Sequence, residues 1–393
     1  MGSFFEVRRR FLALAGGLRG RIATVRRLPR RGRAGLAAGL LLGLCVSAVA
    51  LAAGFKPART HDVGNGAVEI VRGDFNDDGH ADLVTANEAD DTVSLLRGRG
   101  NGRFREARDF PAGPDPFGIA AGDFNRDGRL DLAVSNDNPD QVSILRGRAR
   151  GGFKPPLESD TGGGPLFSLL PIHLDANRKL DLLVANLAGG DSVTILRGRG
   201  DGTFRPPNQV SVANSPNDLE RGDFNRDGDP DIAVTQFDGA TVTILLGNGD
   251  GTVQPLGPTS AGTEPFYIAS GRFDGDRKPD LAVTNNTGGV SILINTGGGD
   301  FGAPVSFIAG TSSVGIVAFR FNRDRELDLA VTDEVSNVHV LRGRGDGSFR
   351  PPLDFGVGQS PFGIAKGKFN RDGRTDLATV NEDDDNVSVL IAD

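Results

Sequence analysis

A nine-residue acidic stretch returns seven times along this 393-residue chain, at steps of 49, 50, 50, 49, 48 and 48 residues. A fixed period of this size marks a repeat architecture, in which each copy is one supersecondary unit that needs its neighbours to bury its apolar face. The second copy reads Asp123-Phe124-Asn125-Arg126-Asp127-Gly128-Arg129-Leu130-Asp131, with side-chain oxygens at positions 1, 3, 5 and 9 and a glycine at position 6. A hard cation such as Ca²⁺ takes about six to eight oxygens, and alternate residues of a tight turn aim theirs inward. The residue at position 7 adds its backbone carbonyl, and the glycine lets the loop double back through a left-handed conformation. The stretch lacks the bidentate Glu and the flanking helices of an EF-hand. The pattern is therefore that of a calcium-type loop between two strands.

Three copies carry the full donor set. The first offers Asp74, Asn76, Asp78 and Asp82, with His80 at the carbonyl position. The second offers Asp123, Asn125, Asp127 and Asp131, with Arg129 there. The fourth offers Asp223, Asn225, Asp227 and Asp231, with Asp229 there. Each set has three carboxylates and one amide, enough negative charge for a divalent ion, so three Ca²⁺ sites are expected. In the other four copies His173, Arg272, Arg320 or Lys368 stands at position 1. Three of these also replace the glycine, by Arg178, Arg277 and Arg325. There a cationic side chain is expected to stand in for the metal.

The rest of each unit reads as strands. In the second copy, Phe117 to Gly122 is small and apolar, suiting a strand near a crowded axis. The loop follows, then a second strand from Leu130 to Ser135, a turn from Asn136 to Asp140 and a third strand from Val142 to Leu145. Phe153-Lys154-Pro155-Pro156 begins a fourth, whose prolines point to an outer edge. The sequence pattern therefore predicts an all-β, seven-bladed β-propeller of four-stranded antiparallel blades. No stretch of the body has a 3.6-residue apolar period, so almost no helix is expected. The seventh copy lacks a fourth strand, and Gly54-Phe55-Lys56-Pro57 matches Gly152-Phe153-Lys154-Pro155. The N-terminal strand is expected to complete the last blade and close the ring.

The units from Pro116 to Val134 and from Val193 to Pro207 resemble bacterial FG-GAP/VCBS repeats, which are similar to the calcium-loop blades of the integrin α-chain head. The resemblance covers residues 55–393 and implies the propeller fold. It leaves function open, since such repeats occur in adhesins, in lectins, as binding modules on polysaccharide-active enzymes and in other exported proteins.

The net charge of −7 conceals two unlike parts, a leader (1–53) at +9 and a body (54–393) at −16. The leader is Arg-rich up to residue 33, and Ala34 to Phe55 is then an uncharged run. That is the layout of a secretory signal peptide or a retained signal-anchor through residues 34–53. The body is expected outside the cytoplasm, secreted, periplasmic or at the cell surface, and any membrane contact is expected only through that anchor. An acidic body repels phosphate backbones, so nucleic acid is not an expected partner. The one cysteine, Cys45, lies in the leader, so the body forms no internal disulfide.

Catalytic patterns are missing. No histidines have metal-triad spacing, no G-x-S-x-G elbow occurs and the body has no cysteine nucleophile. Four Arg-Gly-Asp tripeptides fall on recurring positions of the repeat and read as repeat grammar. The leading reading is an exported, non-enzymatic, calcium-binding module for adhesion or scaffolding. An extracellular protein or glycan ligand would meet the loops between second and third strands together with those entering each blade, on the face opposite the calcium-type loops. A glycan-binding lectin and a polysaccharide-active enzyme are the alternatives. With no Trp and with Tyr267 as the one tyrosine, ring-stacking sugar recognition is disfavoured.

Overall fold

The computed structural model describes residues 54–393 apart from 138, 165, 188–190 and 213. The leader, with its signal or anchor reading, lies outside the described residues. Residues Phe55–Asp393 form one compact unit, built of seven antiparallel blades of four strands each, the outer strand of the fourth being split into Val253–Pro255 and Thr259–Ser260, with a small two-stranded ribbon beside the fifth. Their innermost strands are Ala67–Gly73, Pro116–Gly122, Leu166–Ile172, Pro216–Gly222, Pro265–Gly271, Ser313–Phe319 and Pro361–Gly367. Each innermost strand contacts the next, and the last contacts the first, so the sheets close into a ring. The only helical pieces among the described residues are two 3₁₀ turns, Glu88–Asp90 and Glu382–Asp384. The fold is the expected all-β, seven-bladed propeller.

The second strand of every blade is buried along its length, as in Asp131–Asp137 and Asp280–Asn285, because both of its faces meet neighbouring blades. Outer strands such as Leu157–Asp160 alternate half-buried and exposed positions. The outer strand starts later than the sequence suggests. Phe153 makes an isolated bridge to Gly147, and ladder pairing resumes only at Leu157. Pro155 and Pro156 have no N–H to give to the third strand, so they span the gap. The fourth strand of the last blade is Arg59–Asp62, paired with Asn386–Leu390, and Phe55 bridges Ala392.

The apolar core is divided among the seams between blades. One cluster joins Val142 and Ile144 of the second blade to Leu166, Leu182 and Leu196 of the third. At the foot of most seams, the Phe at loop position 2 meets a Phe of the following blade: Phe75 with Phe153, Phe124 with Phe204, Phe224 with Phe301, and Phe273 with Phe349. Burying each such ring contributes roughly 2–3 kcal/mol, so the repeated Phe carries much of the blade-to-blade adhesion. Hydroxyls on second strands cross the same seams. Thr235, Thr284 and Thr332 donate to the carbonyls of Phe266, Val314 and Phe362 on the next blade.

Candidate metal loops and the axial chamber

The seven acidic loops join first to second strands at one end of the ring. Two features hold them in shape. The first is the Asp at position 9, present in every copy: Asp82, Asp131, Asp181, Asp231, Asp280, Asp328 and Asp376 are all fully buried. Each accepts at least two backbone hydrogen bonds, and Asp231 and Asp376 accept a third from the N–H of Asn225 and Asn370. Asp131 takes one from Phe124 N at 3.1 Å and one from Gly147 N at 2.7 Å. Asp376 does the same with Phe369 N at 2.8 Å and Ala392 N at 2.9 Å. This residue therefore clasps its loop to the end of the third strand. Burial pushes the carboxyls of Asp82, Asp131 and Asp280 up to about 6, against these hydrogen bonds, and the neighbouring loop carboxylates add to the rise.

The second feature is a pair of left-handed residues. In the three full loops position 4 (Asp77, Arg126, Arg226) and position 6 (Gly79, Gly128, Gly228) all have positive φ. A Cβ at any of these glycines would meet open space, so it is the backbone conformation that favours glycine there. The departing copies keep the shape by other means. Arg178 and Arg325 adopt φ of 61° and 76° themselves, and the fifth loop places Gly275 at φ 80° instead.

Within each full loop the expected ligands are brought together, and the three loops lie on separate blades. Asp74 accepts from the backbone N–H groups of Asp78 and Gly79 at 3.1 and 2.8 Å. Asp123 accepts from those of Asp127 and Gly128 at 3.1 and 2.9 Å. Asp78, Asp127 and Asp227 accept from the backbone at position 7, which is His80, Arg129 and Asp229. Asn76 and Asn125 turn their amides onto Asp82 and Asp131, and Asn225 bonds Asp227. Asp223 Oδ1 is buried with no hydrogen-bond partner among the described residues. As the side chains stand, no three His, Cys, Asp or Glu groups among the described residues converge on one metal position. The residue types nonetheless suit a hard cation: each full loop carries three carboxylates and an amide within nine residues, and a divalent ion would relieve the repulsion among them.

Three of the departing loops place side-chain donors in the same region. The Nδ1–H tautomer of His173 donates to the Lys179 carbonyl, 3.0 Å away at position 7. Arg320 donates to the Arg325 carbonyl. Asp175 is paired by Arg197, and Asp276 by Lys278. Loop carbonyls or carboxylates thus have side-chain donors in the third, fifth and sixth loops, as Asp127 of the second has in Arg129 at 3.3 Å.

At the opposite end, acidic loops are stitched to one another. Asp90 accepts from Asn65, Asp91 from the N–H of Asp115, Asp385 from that of Gly66 and Asp383 from Ser360. Much of this acidity fixes loop geometry. The turn-borne Arg-Gly-Asp aspartates behave likewise, Asp201 capping Thr203 and Asp346 capping Ser348. His339 is held between Asp333 at 3.0 Å and Asp354 at 2.7 Å. Burial lowers its pKa, and the two carboxylates more than reverse that.

One cluster is not visible in the sequence. The axis of the ring is blocked by Phe117, Phe167, Phe266 and Phe362, packed ring against ring. Beside this plug is a chamber of about 200 Å³ lined in part by Glu69, Ser168, Asp218, Glu220 and Tyr267. The Tyr267 hydroxyl of the fifth blade donates across the axis to Glu69 of the first. Ser168 donates to Asp218 and Ser270 to Glu220, both at 2.6 Å. Burial pushes Glu69 up to about 7 and Asp218 up to about 6. The signal available in sequence was the break in pattern on the innermost strands: Val-Glu-Ile and Asn-Asp-Leu stand where other copies have Phe-Gly-Ile.

With this geometry in place, the family follows. The FG-GAP-like repeat family matches residues 74–134, 173–234, 223–272, 272–331 and 320–379, more than half of the chain. The chain belongs to the FG-GAP-like repeat family. No curated protein matches it. Among solved structures it is similar to BBS1N in complex with ARL6DN, soaked with mercury: 13% identity, 87% of this chain and 97% of that one, TM-score 0.63. The lead-soaked crystal of the same complex gives 15% identity, coverage of 86% and 96%, and a TM-score of 0.60. At these identities the likeness is one of fold.

Proposed function

We propose that this protein is an exported, non-enzymatic binding propeller for adhesion or scaffolding, its ring stiffened by Ca²⁺ in the first, second and fourth loops. The observation that carries the calcium reading is the division of the loops. Three carry a carboxylate at position 1, whereas in two others the first-position side chain, His173 or Arg320, donates to a loop carbonyl. Bound Ca²⁺ would supply charge neutralisation and cross-linking of the loop. Asp74, Asp78 and the His80 carbonyl would hold it in the first loop, with Asn76 turned to present its oxygen. The corresponding residues would act in the other two loops. The position-9 aspartates would share it with their backbone donors, since each carboxylate oxygen has a second lone pair.

The ligand reading rests on the end of the ring opposite these loops. There Asp90, Asp91 and Asp383 to Asp385 form a rigid, hydrogen-bonded acidic rim, suited to a protein carrying basic groups. The similar BBS1N propeller, solved in complex with ARL6DN, supports a protein partner. The glycan alternative loses its one tyrosine to the axial chamber, and a chamber of about 200 Å³ has no room for a polysaccharide. Calorimetric titration of Ca²⁺ tests the loop reading, and a count near three supports it. Pull-down of envelope proteins with the native chain, compared with an Asp90→Lys/Asp383→Lys variant, tests the rim. Identical captures would sink the protein-binding reading.

A further inference from the structure

The outer-strand position that faces the next blade is not uniform around the ring: it is Ser159, Val210 and Thr259 at three seams. In three other seams an outer-strand Phe packs edge-on against a Phe of the next blade: Phe110 on Phe153, Phe307 on Phe349, and Phe355 on Phe55. At the closing seam that place is taken by His61, edge-on to Phe104 with centroids 5.5 Å apart. Its Nε2 is buried and has no hydrogen-bond partner among the described residues. An unpaired buried nitrogen in place of a phenyl ring weakens the seam, and local rules are broken in this way where a site is being made.

Above the seam runs an open groove of about 620 Å³, lined by Ala58, Arg59, Thr60, His61, Arg99, Arg103 and Phe104. Arg59, Arg99, Arg103 and His61 line it, and carboxylates enter only in the adjoining cavity, where Asp62, Glu106 and Asp109 lie beside the shared Thr60, His61, Arg99 and Phe104. None of the three arginines forms an ion pair among the described residues, in a body whose net charge is −16. The ladder position of Arg59 is Leu157 and Leu353 in the second and sixth blades and Arg108 in the first. In the turn before the bridging Phe, Arg103 stands where the third and sixth blades have Thr203 and Ser348. Unpaired like charges in one groove repel each other and are held there at a cost, which an anion removes. Guanidinium forks match planar and tetrahedral oxyanions in bidentate geometry.

We propose that this groove is a binding site for a discrete oxyanion, a sulfate, phosphate or carboxylate group on a small molecule or chain end. The groove is short and the surrounding body acidic, which favours a compact anion over an extended polyanion.

The test is calorimetry of the full chain at low ionic strength with inorganic sulfate, inorganic phosphate and a uronic-acid trisaccharide, which separate the three sources. At least one should bind saturably. Arg103→Ser and Arg59→Leu each install a residue that another blade carries at that place, so both should fold as the parent does. Each should weaken binding about tenfold, the size expected for one charge-assisted contact. Arg344→Ser, in the equivalent turn of the sixth blade, should bind as the parent does. The proposal is overturned if none of the three anions binds saturably. It is equally overturned if Arg103→Ser and Arg59→Leu bind like the parent, or if Arg344→Ser weakens binding as much as they do.

Discussion

The first, second and fourth acidic loops differ from the third, fifth, sixth and seventh at one end and agree at the other. Position 9 is a buried Asp in all seven, clasping two backbone N–H groups each time. Position 1 is Asp in three loops and His, Arg or Lys in four. A single nine-residue motif therefore carries two separable roles. Position 9 builds the blade, whether or not a cation is bound. Position 1 sorts the loops into those with a first-position carboxylate and those with a basic or histidine side chain there.

The hardest blow to this division would come from position 9. Asp131→Ala in a full loop and Asp328→Ala in a basic loop should each strand two buried N–H groups and cost on the order of 3 kcal/mol. The two losses should be alike in calcium-free urea melts. A large loss at Asp131 with little at Asp328 would make position 9 a metal residue first and a clasp second.

The axial chamber belongs to neither class of loop and gives the next largest effect. Glu69 has a folded pKa of about 7, above its unfolded value. The group is thus protonated in the folded chain where it is ionised in the unfolded one. Its stabilising contribution is complete below about pH 4.5 and is lost as pH rises through 7. Because Glu69 borders a chamber that admits water, the swing should be on the order of 1–2 kcal/mol, less than full burial implies. Thermal melts of Glu69→Gln and parent across pH 5–8 should diverge by that amount. Parallel curves would mean that the chamber solvates the carboxylate.

Calcium sharpens the contrast with a smaller energy. Extracellular modules bind Ca²⁺ at about 10⁻⁴–10⁻³ M, so a few millimolar should add on the order of 1 kcal/mol per occupied loop. Calorimetry should count close to three sites, and Asp127→Ala should remove one. Seven sites, or none, would break the distinction at position 1.

The smallest expected change is a conversion. Arg320→Asp with Arg325→Gly gives the sixth loop the full donor set and relieves the φ of 76° at Arg325. The strain relieved is about 1 kcal/mol, and a fourth calcium site should appear. If the double variant gains stability without a new site, the conformation was limiting and the ligands were not.

Much of the ring was legible in the sequence because each unit states its own local structure. The 48–50-residue period, the turn residues and the apolar runs mark blade number and strand order, and the alternating oxygens of Asp123 to Asp131 mark the loop. The outer strand was placed too early, since Pro155 and Pro156 delay pairing until Leu157, and the turn read from Asn136 to Asp140 is tighter, with strands running through Asp137 and from Asp140. The loops were legible, but the role of position 9 was not: spacing alone does not tell a carboxylate free for a cation from one already accepting Phe124 N and Gly147 N.

What spacing cannot reach is anything that depends on ring closure. Tyr267 and Glu69 stand 198 residues apart and meet only because seven innermost strands converge on one axis. His61 faces Phe104 because a strand from one end of the described chain pairs with one from the other. Local pattern determines what each blade is, since turns and alternation act over a few residues. Which side chains share a low-dielectric chamber or a charged groove is decided by the geometry of the assembled ring, where burial and proximity first acquire values.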